Sequence, residues 1–166
     1  SYVPPPFDIY ELYPEEASPE FGVLDDAERL EYLSSPFAGH RADAAESFLN
    51  EEFDSGVTAR LLEMARRDPE PAVRARAWEA LHGSLEAEEV RDAMMERLVA
   101  PDVPAEELGG LAVGLSQARD VPAVRDIILR LYEEPATRAK ALEAMWRSMD
   151  RRWAVYFPPN LDADDT

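Results

Sequence analysis

The chain has no cysteine among its 166 residues. That absence excludes disulfide frameworks, thiolate metal sites and a cysteine nucleophile, and it leaves the redox compartment open. No apolar run approaches the roughly 20 residues that a membrane-spanning helix needs. Cations are scarce: 17 Lys and Arg stand against 35 Asp and Glu, a net charge of −18, and Lys140 is the only lysine. So acidic a surface is repelled by phosphate backbones and by anionic lipid, which argues against nucleic-acid and membrane-surface partners. There is no Gly-rich phosphate loop, no His-Glu-x-x-His and no Gly-x-Ser-x-Gly. His40 and His82 are the only histidines, and neither has a carboxylate and a nucleophile in register. The pairs Glu15-Glu16, Glu51-Glu52, Glu88-Glu89 and Glu133-Glu134 point in different directions on a helix, so they form no acid–base dyad. Asp162, Asp164 and Asp165 have the acidity of a calcium loop without its glycine or closing glutamate, so no metal and no cofactor is expected. The sequence opens on Ser1 with no visible signal peptide, which favours neither compartment decisively.

What is present is a folded composition, 46% hydrophobic, with an uneven charge. Residues 1–54 carry 14 acids and 2 bases, whereas residues 55–166 carry 21 acids and 15 bases. Residues 1–24 read as an extended acidic arm that starts with Pro4, Pro5 and Pro6. Tyr2, Phe7, Tyr10, Tyr13 and Phe21 interrupt it. They fit either a lid across the first helices or a docking segment.

Residues 25–166 carry an internal repeat. Pro71-Ala-Val-Arg74-Ala-Arg76-Ala77-Trp78-Glu79-Ala80-Leu81 returns as Pro135-Ala-Thr-Arg138-Ala-Lys140-Ala141-Leu142-Glu143-Ala144-Met145. Weaker copies begin at Ala38 and Pro104, giving spacings of 33, 33 and 31 residues. A second unit begins at Val57, Val90 and Val124, spaced 33 and 34 residues apart. Both units place apolar residues at helical intervals and are filled with strong helix formers. Pro71, Pro104 and Pro135 suit first helical turns, where the amide has no intrahelical partner. The pattern predicts an all-α chain of about four antiparallel helix pairs, the last incomplete, following an irregular arm. Trp153, Tyr156 and Phe157 are expected in the core of the final helix.

The stretch Asp68-Pro-Glu-Pro71-Ala-Val73-Arg74-Ala-Arg-Ala77-Trp-Glu-Ala80-Leu81 resembles the bacterial HEAT-like repeat. The resemblance covers roughly residues 25–158 and implies a right-handed α-solenoid. Tetratricopeptide repeats are the rival, but their Trp, Gly, Tyr and Pro spacing is not met. The third copy departs from the pattern, with Glu107 where the others carry arginine and glycines at 109, 110 and 114. Loosened packing or a bend is expected there.

The resemblance implies that Arg41, Arg74 and Arg138 form a structural ladder, each bonding an acidic turn residue, with Asp68 the natural partner of Arg74. A basic ladder for a ligand is the alternative. The resemblance also implies that the second helix of each pair lines a concave face. The outward rows there contain Asp43, Arg76 and Lys140, and Glu46, Glu79 and Glu143, the candidate partner-binding stripe. The row beside them offers His82 and Trp146 as candidate anchors. These features together predict a non-catalytic scaffold or adaptor for a protein or peptide, one with a basic surface to meet the acidic end. Two alternatives stand beside it: a lyase-like or maturation enzyme built on the groove, and a structural domain of a larger chain. Some HEAT-like proteins are bilin lyases or alkylpurine DNA glycosylases, but a glycosylase needs a basic DNA-embracing groove.

Overall fold

The computed structural model describes residues 18–157, and among them every regular element is helical. A 3-10 turn at Phe21–Val23 leads into helix α1 (Asp26–Tyr32), which pairs with α2 (Ala38–Glu46). Then come α3 (Ser55–Arg67) with α4 (Pro71–Ala80), α5 (Glu88–Leu98) with α6 (Ala105–Gly114), and α7 (Pro122–Glu133) with α8 (Arg138–Ser148). A 3-10 turn at Leu81–Ser84 extends α4, and another at Arg151–Tyr156 follows α8. Of the arm, Phe21 is buried and meets Tyr32 edge-on at 5.2 Å. Tyr2, Phe7, Tyr10 and Tyr13, and the acidic Asp162, Asp164 and Asp165, lie outside the described residues.

Local chemistry sets the boundaries. Asp25 and Asp54 accept the amides of Glu28 and Val57, each at 2.9 Å, and so cap α1 and α3. Pro71 and Pro122 occupy first helical turns. Pro104 and Pro135 depart from the expected placement. Pro104 is the extended cap residue of α6 (φ −56°, ψ 144°), one step before the helix. Pro135 lies in a turn closed by the Thr137 amide on the Glu134 carbonyl at 3.1 Å, so α8 begins only at Arg138.

The first helices are amphipathic, burying Val57, Leu61, Leu62 and Met64 in α3 and Val124, Ile128 and Leu131 in α7. The second helices instead carry small residues: Ala44 and Ala45, Ala75 and Ala77, Ala112, and Ala141 and Ala144, all buried. Small side chains let backbones approach, and α2 packs on α4, α4 on α6, and α6 on α8. The α4–α6 contact is the most extensive in the molecule. A Cβ added at Gly110 would lie 2.5 Å from the Ala75 carbonyl oxygen, and one at Gly114 would lie 2.5 Å from that of Trp78. The third pair is therefore the most tightly packed, contrary to the expectation of loosening. Its glycines are the condition of a backbone-to-backbone contact. Trp78, Phe48, Leu81, Met94 and Leu111 fill the core, each side chain contributing about 1.5–3 kcal/mol by its burial. Trp153 joins that core, from a 3-10 turn rather than the expected helix, while Tyr156 and Phe157 are half-buried.

Candidate functional site

The rows expected to face a partner are largely tied to one another. Arg76 on α4 sits 3.9 Å from Glu46 of α2 and 3.2 Å from Glu79. The Lys140 ammonium on α8 lies 2.5 Å from Glu79 Oε1 and 3.1 Å from Glu143. Arg147 Nε is 3.6 Å from Glu143, and its Nη1 donates to Asn50 Oδ1 at 2.8 Å. One brace thus joins the first, second and fourth pairs. It skips the third because Gly109 leaves room for the Lys140 stem, which would be 3.3 Å from a Cβ there. Glu79 is only 2% exposed, so its expected outward position is corrected: the second helices converge far enough to enclose it. Burial pushes the Lys140 and Arg76 pKa values down, but their carboxylate partners outweigh it and leave both raised. Asp43 and Glu46 stay exposed, Asp43 accepting the Ser18 hydroxyl at 2.5 Å.

The arginine ladder is internal as well. Arg41, Arg74 and Arg138 each donate to the carbonyl six residues earlier, on Ser35 (3.0 Å), Asp68 (2.8 Å) and Tyr132 (2.8 Å). Only the backbone of Asp68 serves Arg74. Its carboxylate faces back toward α2 and takes Arg41 in a fork of 2.8 and 3.2 Å. Arg74 reaches forward instead, to the fully buried Glu107, at 2.9 Å. Arg97 forks onto the same carboxylate at 2.8 and 2.9 Å, and the Trp78 indole donates to it at 3.1 Å. Burial alone would raise the Glu107 pKa. The hydrogen bonds from Arg97, Trp78 and Arg74 reverse that and hold it below the usual carboxylate range. Sequence reasoning missed Arg97 and the role of Glu107. The available signal was a carboxylate standing in an arginine row, one repeat after a tryptophan whose indole needs an acceptor.

The remaining feature is a cleft of about 870 Å3. Asn50, His82, Gln117 and Trp146 come to it from the C-terminal ends of the four pairs, and Phe157 and Met149 close its far side. The two candidate anchors, His82 and Trp146, therefore meet in one place. Trp146 is 75% and Met149 77% exposed, large apolar side chains held open to solvent. Trp146 touches Phe157 edge-on at 6.0 Å, which fixes the ring against the last turn. The His82 pKa is lowered, first by burial and then by the Arg147 charge, which keeps the imidazole neutral near pH 7. The cleft thus combines an apolar lining with a few polar tips, the composition of a binding groove.

Among the described residues no group of three or more His, Asp and Glu is placed to hold a metal ion. None of their helices is long and apolar enough to cross a membrane. No protein-family model, curated protein or solved structure matches this chain.

Proposed function

We propose that this chain is a HEAT-like, right-handed α-solenoid that acts as a non-catalytic scaffold or adaptor, holding a protein or peptide segment at the C-terminal ends of its second helices. The repeat period, the pairing of the helices and the continuous packing of α2, α4, α6 and α8 support the architecture. The observation that carries the function is Trp146, 75% exposed inside a cleft that all four pairs help to line. A large aromatic side chain kept open in a concave, mainly apolar setting is the usual anchor of a protein interface. The acidic brace is not the binding element in this reading, because its charges are already satisfied within the array. The acid-rich first pair is the face that a basic partner surface would meet.

Panning a random-peptide display library on the full chain tests the reading. Binders that compete for one site and are lost in Trp146→Ala, with thermal unfolding unchanged, are the expected result. Binders indifferent to Trp146 would overturn it.

A further inference from the structure

We infer that the Trp146 cleft takes an acidic peptide segment with an apolar anchor, a deepening that rests on the docking reading above. The charge of the chain is distributed against its own average. Residues 18–54 hold ten acids and two bases, whereas residues 138–157, which build most of the cleft, hold five bases and two acids. Both of those acids are already engaged. Glu143 lies between Lys140 and Arg147 at 3.1 and 3.6 Å. Asp150 is held by Arg152 at 2.7 Å, the hydrogen bonds from that guanidinium and from its backbone amide keeping the carboxyl at about 2. Neither carboxylate is free to receive a basic ligand.

The cations are less committed. Arg151 lines the cleft, is exposed and makes no ion pair among the described residues. Arg147 lies between Asn50 and Gln117, whose amide approaches its carbonyl at 3.5 Å, so its stem forms part of the floor. An occupant that places an aromatic or aliphatic side chain on Trp146, Met149 and Phe157 brings its flanking residues against Arg151. Carboxylates in those flanks gain from the local positive field, and lysines lose. A net-acidic protein that grips an acidic peptide does so only where its own surface charge reverses, and residues 138–157 are such a place.

The molecule supplies its own reporter. Trp78 and Trp153 are 1% and 3% exposed, so Trp146 alone among the three tryptophans answers to an occupant. Three synthetic peptides free of Trp and Tyr are titrated into the full chain while tryptophan emission is followed. One has a Phe-Leu centre with Asp and Glu flanks, the second has Lys in the flanks, and the third has acidic flanks with Ala at the centre. The acidic Phe-Leu peptide is expected to blue-shift the emission saturably and about tenfold more tightly than the lysine peptide, with the advantage lost in high salt. The alanine-centred peptide is expected not to bind. Arg151→Glu is expected to reverse the charge preference while leaving unfolding unchanged. If the two Phe-Leu peptides bind equally, or the lysine peptide binds more tightly, and both are lost in Trp146→Ala, the acidic occupant is refuted while the docking reading stands. If no peptide shifts the emission and the display library returns no Trp146-dependent binder, both are refuted.

Discussion

Lys140 and Glu79 stand on helices α8 and α4, with the whole of α6 between them in the chain, yet the ammonium lies 2.5 Å from the buried carboxylate. The contact exists because position 109 has no side chain to block it. Lys140→Met removes one of two cations from an enclosed carboxylate and leaves Arg76. Because Lys140 is itself 35% exposed, the expected loss is about 1–2 kcal/mol rather than that of a fully buried pair. Urea unfolding of Lys140→Met, Glu79→Gln and the double variant should give a coupling of about 1 kcal/mol. Additive single effects would mean the pair contributes nothing.

Glu107 is the more costly carboxylate to lose. Glu107→Gln keeps the volume but leaves Arg74 and Arg97 sharing a neutral acceptor, and about 3 kcal/mol of destabilisation is expected. Glu107→Arg, which would restore the pattern of the other repeats, should be worse, since it places three guanidiniums together. A Glu107→Arg variant as stable as the parent in urea would contradict this account of the site.

The same group sets an acid response. Its folded pKa is depressed below the ordinary 4.5, so its contribution to stability is complete above that value and is lost as pH falls through the folded pKa. The stability gap between the parent chain and Glu107→Gln should therefore be constant above about pH 5 and close progressively in more acid solution. Denaturation midpoints measured across that range give the gap directly, and a gap that widens toward low pH would reverse the assignment.

Three glycines on one helix should respond unequally to alanine. At positions 110 and 114 the new methyl meets a backbone oxygen at 2.5 Å, which forces α4 and α6 apart. About 2–4 kcal/mol should be lost despite alanine's better helix propensity. At 109 the neighbour is the flexible Lys140 stem at 3.3 Å, and the change should stay within about 1 kcal/mol of neutral. Melting temperatures of the three variants provide the ranking.

Trp146→Ala should leave stability within about 1 kcal/mol, because the ring is mostly solvated. It should also remove the red edge of the emission spectrum and the fraction quenched by iodide, leaving the signal of buried Trp78 and Trp153.

Several of these features were legible in the sequence and others were not. The period, the helix pairing and the starts at Pro71 and Pro122 follow from local chemistry, which a single strand of residues carries within itself. The glycines at 109, 110 and 114 were misread because a missing Cβ has two meanings, freedom or proximity, and only the neighbouring helix decides between them. Glu79 was placed outward by helical geometry alone. It is buried because successive second helices converge, a property of the assembly rather than of any one helix. Arg74 was given the nearest acid in sequence, Asp68, whereas its side chain extends toward the following repeat. His82 and Trp146 were chosen as neighbours in one row, and they share a cleft because that row runs along the ends of all four second helices.

The inversion at Glu107 also gives the repeats an order. Arg74 requires a carboxylate in the unit that follows it, and only the third unit has one at that position. A second copy of the α3–α4 unit inserted after the first would set arginine against arginine, and deletion of the α5–α6 unit would leave Arg74 facing Arg138. The four units are therefore not interchangeable bricks. Each carries an address written in its charges, and the array can be assembled in one sequence only.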